Sequence, residues 1–183
     1  MARVPYLTEA DLEPDNRDLL ARNINLYRAL VHSPNTARQF GALGMHIRYE
    51  MTLDPRLREL AILQVGYMAR APYEYAHHIE IGRRVGVTDD DVRAIATESA
   101  GGTSALPLLD RTVLLAAREL SAAPALNDDT YTTLSEHLDN EMLVDLITSI
   151  AFYCGVVRVL GALQIDVEDD CLHYLEEFPF APE

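Results

Sequence analysis

The feature that most constrains this chain is a series of helix-start signals, each followed by apolar residues at helical spacing. Ser33-Pro34 and Asp54-Pro55 each pair an N-capping side chain with a proline in the first helical position. Thr88 precedes three aspartates, and this combination suits a helix N-terminus because hydroxyl and carboxylate oxygens satisfy its free N–H groups. Strand-like alternation is nearly absent, so the sequence predicts an all-α fold.

The same start signals, together with proline and glycine positions, predict where the helices begin and end. The first is one long or broken helix that ends near His32 and is interrupted at Pro14. Gly86 is expected to close the fourth helix, and Gly101-Gly102 to form a flexible link. The predicted helices cover approximately 12–32, 34–49, 55–70, 73–85, a segment from 89, 106–120, 128–138 and 141–163.

The last predicted helix contains twelve consecutive uncharged residues, 146–157. A bilayer-spanning helix needs roughly 20 apolar residues, and Asp145 and Arg158 bracket this stretch. A buried helix at the core or at a subunit interface is the better interpretation. A helix that is apolar nearly all round needs cover on more than one side, so a homo-oligomer is expected.

Composition excludes several classes of protein. The chain has 183 residues, with 15 Lys+Arg against 29 Asp+Glu and a net charge of −14, and its basic residues are scattered. Nucleic acids and anionic membranes are therefore not expected as partners. The length suits a single domain over residues 1–183. With only Cys154 and Cys171, no CxxC pair and no secretion signal, a reducing cytoplasm is the expected location.

Three ionisable residues fall on apolar helix faces. Glu74 and His78 are spaced i, i+4 and continue into an apolar stripe, whereas Glu59 shares its face on the preceding helix with Ile62 and Leu63. Polar groups in such a position cost free energy unless they are paired, and a carboxylate there tends toward a raised pKa. These three residues are therefore the candidate acid/base groups.

Other interpretations of the same residues stay open at this point. An isolated Glu-x-x-x-His pair is commonly a helix-stabilising hydrogen bond, and a buried histidine is commonly a satisfied core group. A single histidine with carboxylates is an incomplete zinc set, so no metal is predicted. His77 shares its face with Glu80 and Arg84 and is expected to be largely solvated.

The segment from about Leu53 to Ala96 resembles the carboxymuconolactone decarboxylase and alkylhydroperoxidase D-like (AhpD-like) family. Members of this family are all-helical proteins of this size that form trimers or hexamers, and a bundle of about seven to eight helices is expected. The family motif is a glutamate followed, after a turn, by Cys-x-x-Cys-x-x-x-His. Glu59 and His78 match the motif glutamate and histidine, whereas Ala71 and Glu74 replace the two cysteines.

The resemblance implies acid/base chemistry, because the thiol pair that a peroxidase needs is missing. The expected function is a cofactor-independent decarboxylase or lyase acting on a small carboxylated lactone or ring-derived acid. His78 would move the proton, Glu74 would orient it, and Glu59 would be a second acid/base group. Candidate substrate-binding residues are Arg56, Tyr73 and Arg158. The alternatives are a thiol peroxidase using Cys154 or Cys171, and a non-catalytic oligomer that binds small acids.

Overall fold

The computed structural model describes residues 2–182, and this part of the chain is built from α-helices and short 3₁₀ turns, without strands. The prediction of an all-α fold is confirmed. Seven of the α-helices in the described residues have eight residues or more, in agreement with the expected bundle. The α-helices are α1 Asn25–Leu30, α2 Pro34–Tyr49, α3 Pro55–Met68, α4 Pro72–Arg84, α5 Asp89–Ser99, α6 Leu108–Ala122, α7 Asp128–Ser135, α8 Asn140–Leu163 and α9 Leu172–Glu177.

The predicted helix starts are found where the sequence places them. The Asp54 carboxylate accepts hydrogen bonds from the backbone N–H groups of Arg56 (2.9 Å) and Leu57 (3.1 Å), and α3 begins at the following proline. Thr88 and Asp91 form a reciprocal capping box at the start of α5. Local hydrogen bonding therefore fixes both helix starts.

The Thr88 cap gives a first prediction. Replacing Thr88 by Ala is expected to lower the free energy of unfolding by about 1 kcal/mol, because the backbone N–H of Asp91 loses its acceptor. Urea unfolding of this variant beside Thr132→Ala, which changes an exposed threonine in α7, measures the effect. Equal stability of the two variants would contradict the prediction.

The two ends of the chain differ from the prediction. Instead of one long helix before His32, the chain forms 3₁₀ turns over Glu9–Asp11 and Pro14–Leu20, followed by the short α1. Pro14 lacks an N–H and restarts the chain in the tighter 3₁₀ geometry, while the apolar spacing is kept because Leu20 and Leu26 reach the core. A short helix, α9, also forms after the last predicted helix.

Helix α3 lies at the centre of the molecule. It packs against α4, α5, α6 and α8, and its residues from Leu57 to Tyr67 are all buried. Gly66 allows the close approach of α4, since a Cβ atom there would lie 3.3 Å from the backbone nitrogen of Tyr75. Gly86, at φ +97°, follows α4 and ends it as predicted. The α3–α4 hairpin is thus closely packed in the core.

Helix α8 packs one face on α3 and α6. In the described part of the chain it alone is long and apolar enough to cross a membrane, and 39% of its most apolar 18-residue stretch is buried. Asp145 is buried within it and accepts hydrogen bonds from the backbone of Thr52 (2.8 Å) and Leu53 (3.2 Å), an arrangement typical of a helix packed in a protein core. Its outer face exposes Val144, and homo-oligomerisation through this face stays a prediction.

Candidate active site

The α3–α4 hairpin brings the three candidate acid/base residues together. Glu59 stands in the second turn of α3, Glu74 in the first turn of α4, and His78 one turn further on. His78 Nδ1 lies 2.6 Å from Glu59 Oε2, and His78 Nε2 lies 2.8 Å from Glu74 Oε1. The imidazole therefore bridges two carboxylates, and all three side chains are buried.

Arg58 extends this arrangement into a row of four charged groups. Its Nε and Nη2 donate to Glu59 Oε1 at 3.1 and 3.0 Å, and its Nη1 donates to the backbone carbonyl of Arg48 at 3.1 Å. We call Arg58, Glu59, His78 and Glu74, in that order, the relay. Arg58 was not among the sequence candidates, because neighbouring residues on a helix normally face different directions.

Burial and the neighbouring charges act in opposite directions on the pKa of His78, the central residue of the relay. Burial by itself lowers the pKa of His78, but the carboxylates of Glu59 and Glu74 outweigh it and raise that pKa to about 9. For Glu59, burial raises the pKa, whereas His78 and Arg58 together bring it below the usual value. At neutral pH the relay therefore holds an imidazolium between carboxylates.

The raised pKa of His78 gives a second prediction. The histidine has a pKa near 6.5 when unfolded and about 9 when folded, so its contribution to stability is complete below pH 6.5. That contribution is lost as the pH rises through 9, at a cost on the order of 3 kcal/mol. Urea unfolding from pH 6.5 to 9.5 measures the fall, and His78→Gln is expected to flatten it. A wild-type curve parallel to that of the variant would contradict the raised pKa.

A small cavity adjoins the outer end of the relay. Its volume is about 50 Å³, it is partly open to solvent, and both Glu74 and His78 line it. Glu59 and Arg58 lie behind them and do not line it. The rest of the wall is mainly apolar and aromatic, and includes Tyr27, Phe40, Met45, Phe152, Tyr153 and Val156.

Tyr153 supplies a hydroxyl to this cavity. Its ring packs edge-on against His78, with 5.0 Å between ring centroids. Burial, together with the charges of Glu74 and Glu59, raises the pKa of Tyr153 well above the usual value, so the hydroxyl stays protonated. Within residues 2–182 this hydroxyl has no hydrogen-bond partner, which leaves it able to donate to a ligand.

Two of the predicted substrate-binding residues lie away from the cavity. Arg56 forms ion pairs with Asp91 (2.9 Å) and Asp110 (2.6 Å), because the start of α3 meets acidic residues of α5 and α6. Arg158 is exposed on α8 and donates to the backbone carbonyl one turn earlier. The arginines that line the cavity are instead Arg22 and Arg48.

Tyr73 and His77 do line the cavity, as part of its α4 wall. The Tyr73 hydroxyl donates to Glu168 Oε1 (3.2 Å), and burial is the main cause of its raised pKa. His77 was expected to be largely solvated, but its side chain is only 14% exposed. The reason is the chain between α8 and α9, which folds over α4 and places Glu168 Oε2 at 2.7 Å from His77 Nε2.

Neither cysteine lies in the cavity wall. Cys154 lies on α8 beside Ser121, outside the cavity. Cys171 is buried beside His77, and burial followed by nearby carboxylates raises the pKa of its thiol to about 12. The two cysteine positions of the motif are occupied by Ala71 and Glu74, so the hairpin offers a carboxylate in place of a thiol. Among the described residues, no three His, Cys, Asp or Glu side chains are grouped so that they could hold a metal ion.

Solved structures of other proteins share this fold. An uncharacterized peroxidase-related protein from Ralstonia eutropha JMP134, described as an alkylhydroperoxidase AhpD core, superimposes with a TM-score of 0.80. Its sequence is 20% identical, and the match covers 100% of this chain and 98% of that one. A peroxidase-related protein from Silicibacter sp. TM1040 gives 0.76 at 15% identity, covering 93% of each chain. The fold is therefore that of the AhpD-like proteins.

The debrominase Bmp8, solved as a cysteine-to-alanine variant with 2,3,4-tribromopyrrole, shares the same fold. Its TM-score is 0.76 at 20% identity, covering 97% of this chain and all of that one. Residues 34–110 match the carboxymuconolactone decarboxylase family model, whereas no curated protein sequence matches the chain. The chain therefore has the AhpD-like fold, and its segment 34–110, which is similar to the carboxymuconolactone decarboxylase family, lacks the Cys-x-x-Cys pair.

Proposed function

We propose that the chain is a cofactor-independent lyase that decarboxylates a small carboxylated lactone or ring-derived acid. The relay ends at Glu74, whose carboxylate lies in the wall of an otherwise mainly apolar cavity, and this observation carries the proposal. A buried carboxylate that receives a proton from an imidazolium is suited to protonating carbon near neutral pH.

Glu74 is the better candidate for contact with the substrate. Both ring nitrogens of His78 are already bonded to carboxylates, so the imidazole has no free position for a ligand. The sequence favoured His78 as the proton-transfer group with Glu74 orienting it, and the geometry favours the reverse order of roles. Glu59 and Arg58 then act as positioning residues that hold the ring and its charge.

The proposed reaction breaks one C–C bond and forms one C–H bond. Loss of CO₂ leaves the electron pair on the substrate as an enolate-type anion, whose oxygen accepts a hydrogen bond from Tyr153. Glu74, protonated through His78 Nε2, delivers the proton to carbon, and solvent returns a proton to the relay. The balance is one carboxylate and one proton consumed for one CO₂ and one C–H bond, with no oxidant or reductant.

A thiol peroxidase is the competing candidate, supported by the peroxidase-related neighbours. Thiol catalysis needs an accessible thiolate, and the raised pKa of Cys171 opposes this. Its attack on a peroxide also needs a second thiol to resolve the sulfenic acid, but Cys154 and Cys171 lie on different helical segments. Acid/base chemistry at the relay therefore accounts better for the residues present.

The test is a screen for CO₂ release from a panel of carboxylated five-membered lactones, run beside a peroxide-consumption assay. The wild type and a Cys154→Ser/Cys171→Ser double variant are expected to release CO₂ at equal rates. Peroxide consumption that disappears in the double variant, without CO₂ release by the wild type, would overturn the proposal. Saturable lactone binding without turnover would favour a binding protein and would overturn it as well.

A further inference from the structure

Two arginines at the cavity have no part in the relay and no acidic partner. Arg22 lies in the connection before α1 and Arg48 in the last turn of α2. Neither contacts a carboxylate within residues 2–182, and each guanidinium group lies over an aromatic ring, Arg22 over Tyr27 and Arg48 over Tyr49. Carboxylates outnumber basic residues 29 to 15 in this chain, so an arginine at a cavity without a carboxylate partner calls for an explanation.

Most of the other arginines are neutralised. The sequence contains no lysine, so all 15 basic side chains are arginine. Those that pair with carboxylates in the described residues are Arg38, Arg56, Arg58, Arg83, Arg84, Arg93, Arg111 and Arg118. Two guanidinium groups left unpaired at the same small cavity are a local positive charge on a strongly acidic molecule.

The relay leaves this positive charge uncompensated. Arg58 and imidazolium His78 contribute two positive charges, and Glu59 and Glu74 contribute two negative charges, so the relay is neutral as a unit. Arg22 and Arg48 therefore give the cavity an excess of positive charge. A guanidinium group matches a carboxylate with two parallel N–H···O bonds, which makes an organic carboxylate the fitting ligand.

The position of Arg48 is tied to the relay. Arg58 Nη1 donates to the backbone carbonyls of Arg48 (3.1 Å) and Ile47 (3.4 Å), so the same arginine that holds Glu59 also holds the end of α2. Arg22 is exposed and Arg48 half-buried, whereas Glu74 and His78 are buried. The two arginines thus lie on the solvent side of the cavity and the proton-transfer group on its inner side.

We propose that Arg22 and Arg48 form an anion clamp that selects small ligands carrying a carboxylate and holds that group on the solvent side, with the rest of the ligand directed toward Glu74. The inference rests on the proposed function for its orientation relative to Glu74, but carboxylate binding itself needs no turnover. It assigns substrate selection to residues outside the α3–α4 hairpin that carries the family motif.

The clamp is tested by binding of furan-2-carboxylate and its neutral isostere furan-2-carboxamide, measured by NMR titration at pH 7. The wild type is expected to bind the carboxylate at least about tenfold more tightly than the amide. Arg22→Gln and Arg48→Gln are each expected to weaken carboxylate binding by about tenfold and leave amide binding unchanged. Arg17→Gln removes the same charge from an exposed position outside the cavity and is the matched control.

Several results would overturn the clamp. These are equal binding of acid and amide, no saturable binding of the acid up to tens of millimolar, or an Arg17→Gln effect as large as that at Arg22 and Arg48. The Glu74→Gln variant separates this inference from the proposed function, since it is expected to keep carboxylate binding. If the clamp variants lose binding while the wild type decarboxylates nothing, the clamp stands and the lyase proposal fails.

Discussion

Replacing Glu74 by Gln is expected to lower the rate of decarboxylation by about 10²- to 10⁴-fold, the usual contribution of a positioned general acid. The amide keeps the size of the side chain and can still accept a hydrogen bond from His78 Nε2, so the fold and the relay geometry are retained. It cannot take up and deliver the proton. The loss should therefore appear in kcat, measured as CO₂ release under saturating substrate.

Glu80→Gln is the matched control for this variant. Glu80 stands on the same helix, half-buried, and pairs with Arg84 at the surface outside the cavity. Its substitution is expected to change the rate by less than about twofold, since a surface ion pair contributes little. A Glu74→Gln enzyme with the kcat of the wild type would remove Glu74 from the chemistry and with it the proposed mechanism.

The charged residues of the hairpin show how far the sequence can predict a site. Helical spacing and the motif place Glu59, Glu74 and His78 on facing surfaces of two consecutive helices, and the structure brings them into contact. Local rules suffice here because only a short turn separates the helices. Helical spacing does not tell which atoms of His78 are hydrogen-bonded. Because both ring nitrogens are bonded to carboxylates, Glu74 and not His78 is suited to contact the substrate.

The arginines show where such prediction ends. Arg56 was a reasonable candidate on sequence, but its partners Asp91 and Asp110 belong to α5 and α6, whose packing on α3 no local pattern specifies. Arg22 and Arg48 reach the cavity from the irregular N-terminal region and from the end of α2. The positions of these two arginines depend on how the 3₁₀ turns and a short helix pack, and apolar spacing in the sequence does not determine this packing.

The substitution of the thiol by a carboxylate is consistent with the rest of the site. In the family motif a cysteine would stand four residues before His78, where this chain has Glu74. A carboxylate at this position stabilises the charged imidazole and accepts its proton, and it carries no redox chemistry. Glu59 and Arg58 are buried behind it, so this scaffold can hold the charge needed for acid/base chemistry.

Replacing Arg58 by Ala is expected to lower the free energy of unfolding by about 3–5 kcal/mol, because it leaves a buried charge without its partner. Glu59 is fully buried and would keep only His78, while the carbonyls of Ile47 and Arg48 would lose their donor. Urea unfolding at pH 7 measures the loss.

The matched control is Arg84→Ala, which breaks an exposed i, i+4 pair with Glu80 and should cost less than about 1 kcal/mol. The double variant Arg58→Met/Glu59→Gln discriminates further, because it removes both buried charges and replaces the arginine stem with apolar volume. It should recover part of the stability lost in Arg58→Ala, since an apolar replacement of a buried pair is often tolerated. If Arg58→Ala were no less stable than Arg84→Ala, the Arg58–Glu59 contact at the inner end of the relay would not be a stabilising buried ion pair.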